Sequence, residues 1–420
     1  MYRILGGFML LASSGLASAA PSAVVPEDHY RLDDVSEPRF SPDGAAIVYT
    51  VTAPDRERDE KTSDLWTVPW KSGAPVPLTR TPEVSEYSPR YAPDGKSIVY
   101  LSDAGEKKDG EDEKDDSAQL WWIPAVGGAG TRITAIPGGI SDYDLSPDGK
   151  SAVVVAEVGK AVGSKAKTPP PVETERFYFK QDGRGYLDDR TQQLFIVDLE
   201  TGAARQLTSG ARDHWKPAWS PDGKLIAYTA KDHGETDRTL NTEIYVLPPS
   251  GGEPRKISPT ANADNDPDWG AGVSWSPDSK RIVWLEGMED KWLYYGTPHL
   301  AVADVATGAV TRPAKLDLWF YYPRFAPDGS ILAQIEGDRD TWLARVDAKN
   351  GKITYLTKGA RFAYDYAVAK DGRIAILETT NAKPSELYAL EKSGARQLTD
   401  HNPWLNDRTL GEVRDVSFRS

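Results

Sequence analysis

A four-residue turn motif recurs seven times along this chain and constrains its fold more than any other feature. It reads SPDG at 41–44, 146–149 and 220–223, APDG at 92–95 and 326–329, SPDS at 276–279, and a degenerate AKDG at 369–372. Its second residue falls at 42, 93, 147, 221, 277, 327 and 370, so successive copies lie 51, 54, 74, 56, 50 and 43 residues apart. Proline presets φ for the second turn position, and the aspartate side chain hydrogen-bonds back to the turn. Glycine then supplies the positive φ from which the next strand departs. Pro-Asp-Gly between β-rich runs is therefore a hairpin signal with a mechanism.

Each copy sits in the same surroundings. An apolar or aromatic residue precedes it (Phe40, Tyr91, Leu145, Trp219, Trp275, Phe325), and a β-rich run follows, such as AIVYT at 46–50 or RIVWL at 281–285. A second run comes next (LWTVP at 65–69, IYVLP at 244–248), then a short last one (PLT at 77–79, QLT at 206–208 and 397–399). Four strands in a unit of about fifty residues, repeated seven times, predict an all-β chain folded as a seven-bladed β-propeller over residues 24–399. The end units own all four of their strands, so the ring is expected to close by packing, without pairing between residues near 24–32 and 396–399.

Two insertions interrupt the repeat. GEKKDGEDEKDDS at 105–117 reads as a solvated charged loop, and residues 157–191 account for the 74-residue gap. Within the latter, VETERFYFKQDGRGYL at 172–187 is aromatic and charged, hence more ordered than the GKAVGSKAKTPPP before it.

The first twenty residues, MYRILGGFMLLASSGLASAA, have the form of a signal peptide: Arg3, an apolar stretch from Ile4 to Leu16, and a small-residue site. Cleavage is expected after Ala19, giving a periplasmic or secreted protein. The apolar stretch is too short to span a bilayer, and no later stretch approaches that length, so no membrane span is expected in the mature chain. The 50 Lys+Arg against 63 Asp+Glu, a net charge of −13, weigh against nucleic acid as a partner. Zero cysteines exclude disulfides, thiolate metal sites and a cysteine nucleophile.

No Gly-x-Ser-x-Gly, His-Glu-x-x-His, phosphate loop or dinucleotide fingerprint occurs, and neither a cofactor nor a metal is expected. His214 and His233 flank a hairpin and read as unrelated loop residues. Trp121, Trp122, Trp215, Trp219, Trp269 and Trp275 read as inter-blade core or rim packing.

WSPDGKLIAY at 219–228, VDLETGAARQLT at 197–208, YVLPPSGGEPR at 245–255 and ERFYFKQDGRGY at 175–186 resemble the N-terminal propeller of the prolyl oligopeptidase family. The similarity points to its bacterial acylaminoacyl-peptidase and dipeptidyl-peptidase-like branch, over nearly the whole mature chain. The tail, DHNPWLNDRTLGEVRDVSFRS at 400–420, looks like the family's linker into its α/β-hydrolase domain, with Val416 opening the first hydrolase strand. That domain, which in the family carries the Ser–His–Asp triad, is absent from this sequence, so no catalytic residue can be carried over.

The resemblance implies the substrate-gating portion of an exported serine exo- or oligopeptidase acting on short peptides, inactive without its hydrolase partner domain. It also implies substrate contacts from the insertion, for which Glu173, Glu175, Arg176 and Tyr178 are the candidates. An exposed apolar face is expected where a hydrolase would dock. Two other readings stay open. One is a free-standing periplasmic propeller of Tol type that docks a protein or glycan. The other is a propeller-type lyase with a metal, which the scarcity of histidines disfavours.

Overall fold

A computed structural model describes residues 21–105, 117–159, 171, 174, 177–182, 185–187, 189–231, 238–259, 262–265, 272–292 and 295–419. Residues 1–20 and most of both insertions lie outside these residues. The described strands form seven consecutive four-stranded antiparallel units, the first being Asp34–Phe40, Ala46–Asp55, Glu60–Pro69 and Val76–Pro77. The innermost strands of the other six are Glu86–Tyr91, Ile140–Leu145, His214–Trp219, Ser274–Trp275, Phe320–Phe325 and Phe362–Val368. Units six and seven are also joined by one parallel pair, Thr341 with Phe362.

Both faces of each unit are covered by its neighbours, which is why the second strands read as continuous apolar runs. In the first unit Ile47 and Tyr49 pack against Ala375, Leu377 and Leu387 of the seventh, while Val48, between them, packs against Ile98 and Tyr100 of the second. The same alternation seals the other junctions: Val99 against Val154, Val153 against Ile226, Ala227 against Ile282, Val283 against Phe320, and Leu332 against Ile376. The fold is a β-propeller with a core distributed among its interfaces.

Two repeated side-chain devices fix the hairpins. In the turn, Ser41 donates to Asp43 (2.6 Å), Asp43 accepts from the Ala45 amide (2.9 Å), and Gly44 has φ +68°. Ser146–Asp148, Ser220–Asp222 and Ser276–Asp278 repeat the contact, and Ser279 takes the glycine place at φ +59°. The second device explains the PLT and QLT endings. Thr79, Thr134, Thr208, Ser258 and Thr399 each accept the amide of the third strand's leading Leu or Ile and donate to the residue before it. Those acceptors are Asp64, Gln119, Gln193, Glu243 and Glu386. Buried carboxylates at 243 and 386 are thus part of the blade architecture.

Residues 24–32 do not pair with 396–399. The chain ends instead meet outside the units, where Ser22–Ala23 runs parallel to Arg408–Thr409. Arg408 grips the buried Asp28 with two nitrogens (2.7 and 2.9 Å), Asn402 exchanges two hydrogen bonds with the Asp33 backbone, and Trp404 donates to the Arg31 carbonyl. Residues 410–419 carry no strand, and Val416 and Phe418 are exposed. No helix among the described residues is long and apolar enough to cross a membrane.

An even number of strands gives the ring polarity. The Pro-Asp-Gly turns and the third-to-fourth-strand turns share one face. The described flanks of both insertions, the links between units and the two chain ends share the other. Phe177, Phe179, Tyr186, Trp292, Tyr295, Phe362 and Tyr364 are exposed in loops or strand starts of this terminal face.

Candidate functional site

The seven inner strands enclose an axial channel of about 1080 Å³. Its lining runs from Asp34, Tyr364 and Pro384 at the terminal face to Pro221 in a turn at the other. Local geometry decides what points inward. The inner strands of units one, two, four and six carry a bulge before the turn, where Glu37, Ser88, Lys216 and Tyr322 adopt φ of +55°, +53°, +49° and +46°. Each is followed by a proline, which cannot donate to the ladder. Bulges re-aim the neighbouring side chains, and residues five and three places before the turn proline line the channel in most units.

At the first level stand Glu37, Ser88, Asp142, Lys216, Gly272, Tyr322 and Asp365; at the second, Arg39, Arg90, Asp144, Ala218, Ser274 and Arg324. These residues tie the units together around the wall. Glu37 accepts the Ser88 amide and hydroxyl (both 2.6 Å). Asp144 lies 3.5 Å from Arg90 and accepts the Trp219 amide (2.8 Å), while Lys216 reaches Asp142 at 3.4 Å. The Trp275 indole donates to the Ala218 carbonyl, and Ser274 accepts the Phe325 amide (both 3.0 Å). Arg324 binds Asp365 at 2.8 Å, and Arg39 approaches the other oxygen of Asp365 at 3.6 Å, closing the circle.

Two junctions share a further element. Where four of the other units have proline four places before the motif's second residue, the third and seventh have tyrosine. Tyr143 donates to the carbonyls of Ser88 (2.6 Å) and Val99 (2.8 Å), and Tyr366 to those of Tyr322 (2.6 Å) and Leu332 (2.8 Å). Arg90 and Arg324 lie over the two rings at 5.1 and 4.6 Å. Burial pushes both phenols well above their ordinary range, so they remain donors. Burial, then the charges of Asp365 and the neighbouring guanidiniums, act on Arg39, with the net effect of lowering its pKa.

Of the insertion candidates, Glu173, Glu175 and Arg176 lie outside the described residues. Tyr178 is exposed beside a short hairpin (Lys180–Gln181 with Gly185–Tyr186) and does not line the channel. Its neighbour Phe177 carries Arg238 of unit four over its ring at 4.9 Å. His214 is buried against Tyr228, with Nδ1 3.2 Å from the Gln192 carbonyl; His233 and Trp269 lie outside the described residues. Trp275 does pack between units, whereas Trp122 is exposed. The channel arginines were not singled out from sequence, although Pro-Arg-aromatic before the turn at 38–40, 89–91 and 323–325 is a repeated and readable signal.

No family model matches this chain. It is 29% identical over 439 residues to dipeptidyl-peptidase 5 of Porphyromonas gingivalis, covering 96% of this chain and 60% of that protein. It is 31% identical over 230 residues to the uncharacterized peptidase YuxL of Bacillus subtilis, covering 53% of this chain and 34% of the relative. Among solved structures, Pyrococcus horikoshii acylaminoacyl peptidase superposes with a TM-score of 0.70 at 16% identity, over 90% of this chain and 54% of that one. The β-propeller domain of the Trilobed protease from Pyrococcus furiosus, described as having an open velcro topology, matches with a TM-score of 0.60 at 16% identity over 99% of its length. The curated homologues are peptidases, which this chain spans only in part, and the solved neighbours share its fold.

Proposed function

We infer that this chain is the substrate-gating propeller of an exported serine peptidase of dipeptidyl- or acylaminoacyl-peptidase type, which hydrolyses short peptides. The observation that carries this reading is the identity along 96% of the chain to a dipeptidyl-peptidase that it covers to 60%. Fold polarity supports it, because the channel opens on the same face as both chain ends and the exposed aromatic side chains. An α/β-hydrolase domain joined to the C-terminal tail would cover that face and leave the opposite channel mouth free. The Ser–His–Asp chemistry would reside wholly on that domain, with the propeller limiting access by size.

The test is to read the coding sequence downstream of codon 420, express the continuous product, and assay it beside the 420-residue chain on dipeptidyl and acylaminoacyl 4-nitroanilides. A downstream Gly-x-Ser-x-Gly with hydrolysis by the longer product alone is expected. An unrelated downstream sequence, or a longer product inert on both substrate classes, overturns the reading. Export is tested by cell fractionation and N-terminal sequencing, with Ala20 as the expected first residue.

A further inference from the structure

The inner strands place Arg39, Arg90 and Arg324 in the same register, three residues before the turn proline, near the channel mouth farther from the chain ends. Asp365 receives Arg324 on one oxygen and Arg39 on the other, so these two guanidiniums share one carboxylate. Arg90 is close enough for its charge to act on Arg39.

Their hydrogen-bonding capacity is largely unused. A guanidinium presents a fork of N–H donors suited to a carboxylate or phosphate edge. Arg39 donates to its neighbour's carbonyl at Pro38, and Arg324 to Tyr366 O and Asp365. Arg90 has only the 3.5 Å approach to Asp144 and the face of Tyr143, and its Nε is buried without a partner. The nearby acids divide their oxygens between these arginines and other donors: Asp144 also accepts the Trp219 amide and Asp365 the Tyr366 amide, while Glu37 accepts from Ser88 and Thr50. Lys216 is held by Asp142.

The geometry points to an oxyanion site in the channel wall, in which Arg39 and Arg90, backed by Arg324, receive a carboxylate or phosphate group through paired N–H donors. Two sources offer that chemistry, the free C-terminus of a peptide in the channel and inorganic phosphate. The site itself does not depend on the peptidase reading; only the peptide source does.

Calorimetric titration of the full chain with potassium phosphate, with acetyl-triglycine, and with acetyl-triglycine amide separates these. Saturable binding of the free acid or of phosphate is expected, with the amide at least tenfold weaker than the acid. Arg39→Gln and Arg90→Gln should each weaken binding at least tenfold. Arg345→Gln, which removes a pairing with Asp328 outside the channel, should leave it unchanged. Circular dichroism and the thermal midpoint confirm that each variant is folded, and Arg90→Lys keeps the charge while losing the fork.

Binding of phosphate alone supports the site and assigns the inorganic source; binding of the acid peptide assigns the peptide. Absence of saturable binding for both anions, saturable binding of acid and amide with equal affinity, or unchanged affinity in folded Arg39→Gln and Arg90→Gln overturns the proposal. None of these results bears on hydrolysis by the longer product, so the two readings fail separately.

Discussion

Tyr143 and Tyr366 offer a clean measurement of what holds neighbouring units together at the channel wall. Each is fully buried, and each hydroxyl spans two carbonyls of the preceding unit at 2.6 and 2.8 Å. Replacing either by phenylalanine keeps the ring volume and leaves no cavity to collapse. It removes one O–H proton shared between two carbonyls at sites from which water is largely excluded. Leaving those buried acceptors without their donor costs about 1–3 kcal/mol for each variant. The two sites lie at different junctions and share no partner, so their effects should add to about 2–6 kcal/mol in the double variant. Tyr364→Phe is the control: this tyrosine is exposed, and the change should stay within about 0.5 kcal/mol. Equilibrium urea unfolding, with midpoints compared at constant slope, reads the four variants against the parent chain. A loss below about 0.5 kcal/mol for either buried tyrosine, or a double variant far from the sum, would refute the claim that these hydroxyls act as independent clamps.

Three glycines at matching turns test close approach between neighbouring backbones. Gly202, Gly308 and Gly351 have φ of +72°, +73° and +72°, but an added Cβ would meet Ile133 O at 2.2 Å and Pro313 O at 1.5 Å in the first and last, and open space at Gly308. Gly308→Ala should cost about 1 kcal/mol from conformation alone, and the other two at least about 2 kcal/mol more, read by the same urea unfolding. His214 should titrate near 4, followed by NMR of its ring protons, because burial disfavours the imidazolium. The native state then refuses a proton that the unfolded chain accepts below about 6.5, so this group removes stability as pH falls from there to 4, on the order of 3 kcal/mol in all. Arg408 holds the Asp28 carboxyl well below the ordinary range, so this pair contributes above that range and is lost only at strongly acid pH. Asp28→Asn should hasten proteolytic cleavage of residues 22–31 and 400–409 at neutral pH, and equal cleavage rates would remove the clasp's role.

The sequence carried the strand pattern because the unit repeats a local chemistry. The turn uses Ser or Ala, usually Pro, then Asp and a residue tolerant of positive φ; Lys370 and Ser279 show how far the second and last demands can bend. The alternation of Ile47, Val48 and Tyr49 between two neighbours was invisible as alternation, because burial on both faces leaves only an apolar run. The channel was harder to read. Its polar wall depends on bulges at Glu37, Ser88, Lys216 and Tyr322, and nothing in a two-residue period announces which side chain a bulge turns inward. The clasp between Asp28 and Arg408 joins residues at opposite ends of the sequence, beyond the repeat that made everything else legible.

Four strands per unit have one more consequence. A unit that enters on one face must leave on that face, so every link, the described insertions and both chain ends accumulate on a single side of the ring. The other side keeps the Pro-Asp-Gly turns around the channel mouth, with the third-to-fourth-strand turns farther out. Variation in loop length is therefore concentrated where the aromatic side chains are exposed, and the arginine-bearing mouth is framed by the least variable part of the repeat. If a partner domain covers the loop-bearing face, the turn-bearing mouth is the remaining axial route to the channel. Its guanidiniums would then stand just inside that mouth, in the path of an entering molecule. A substitution there should alter which peptides enter without altering the chemistry performed on them. On an active longer product, Arg39→Gln and Arg90→Gln should raise KM for peptides with a free C-terminus relative to their amides and leave kcat unchanged. A fall in kcat for both peptide forms alike would place the arginines outside the entry route.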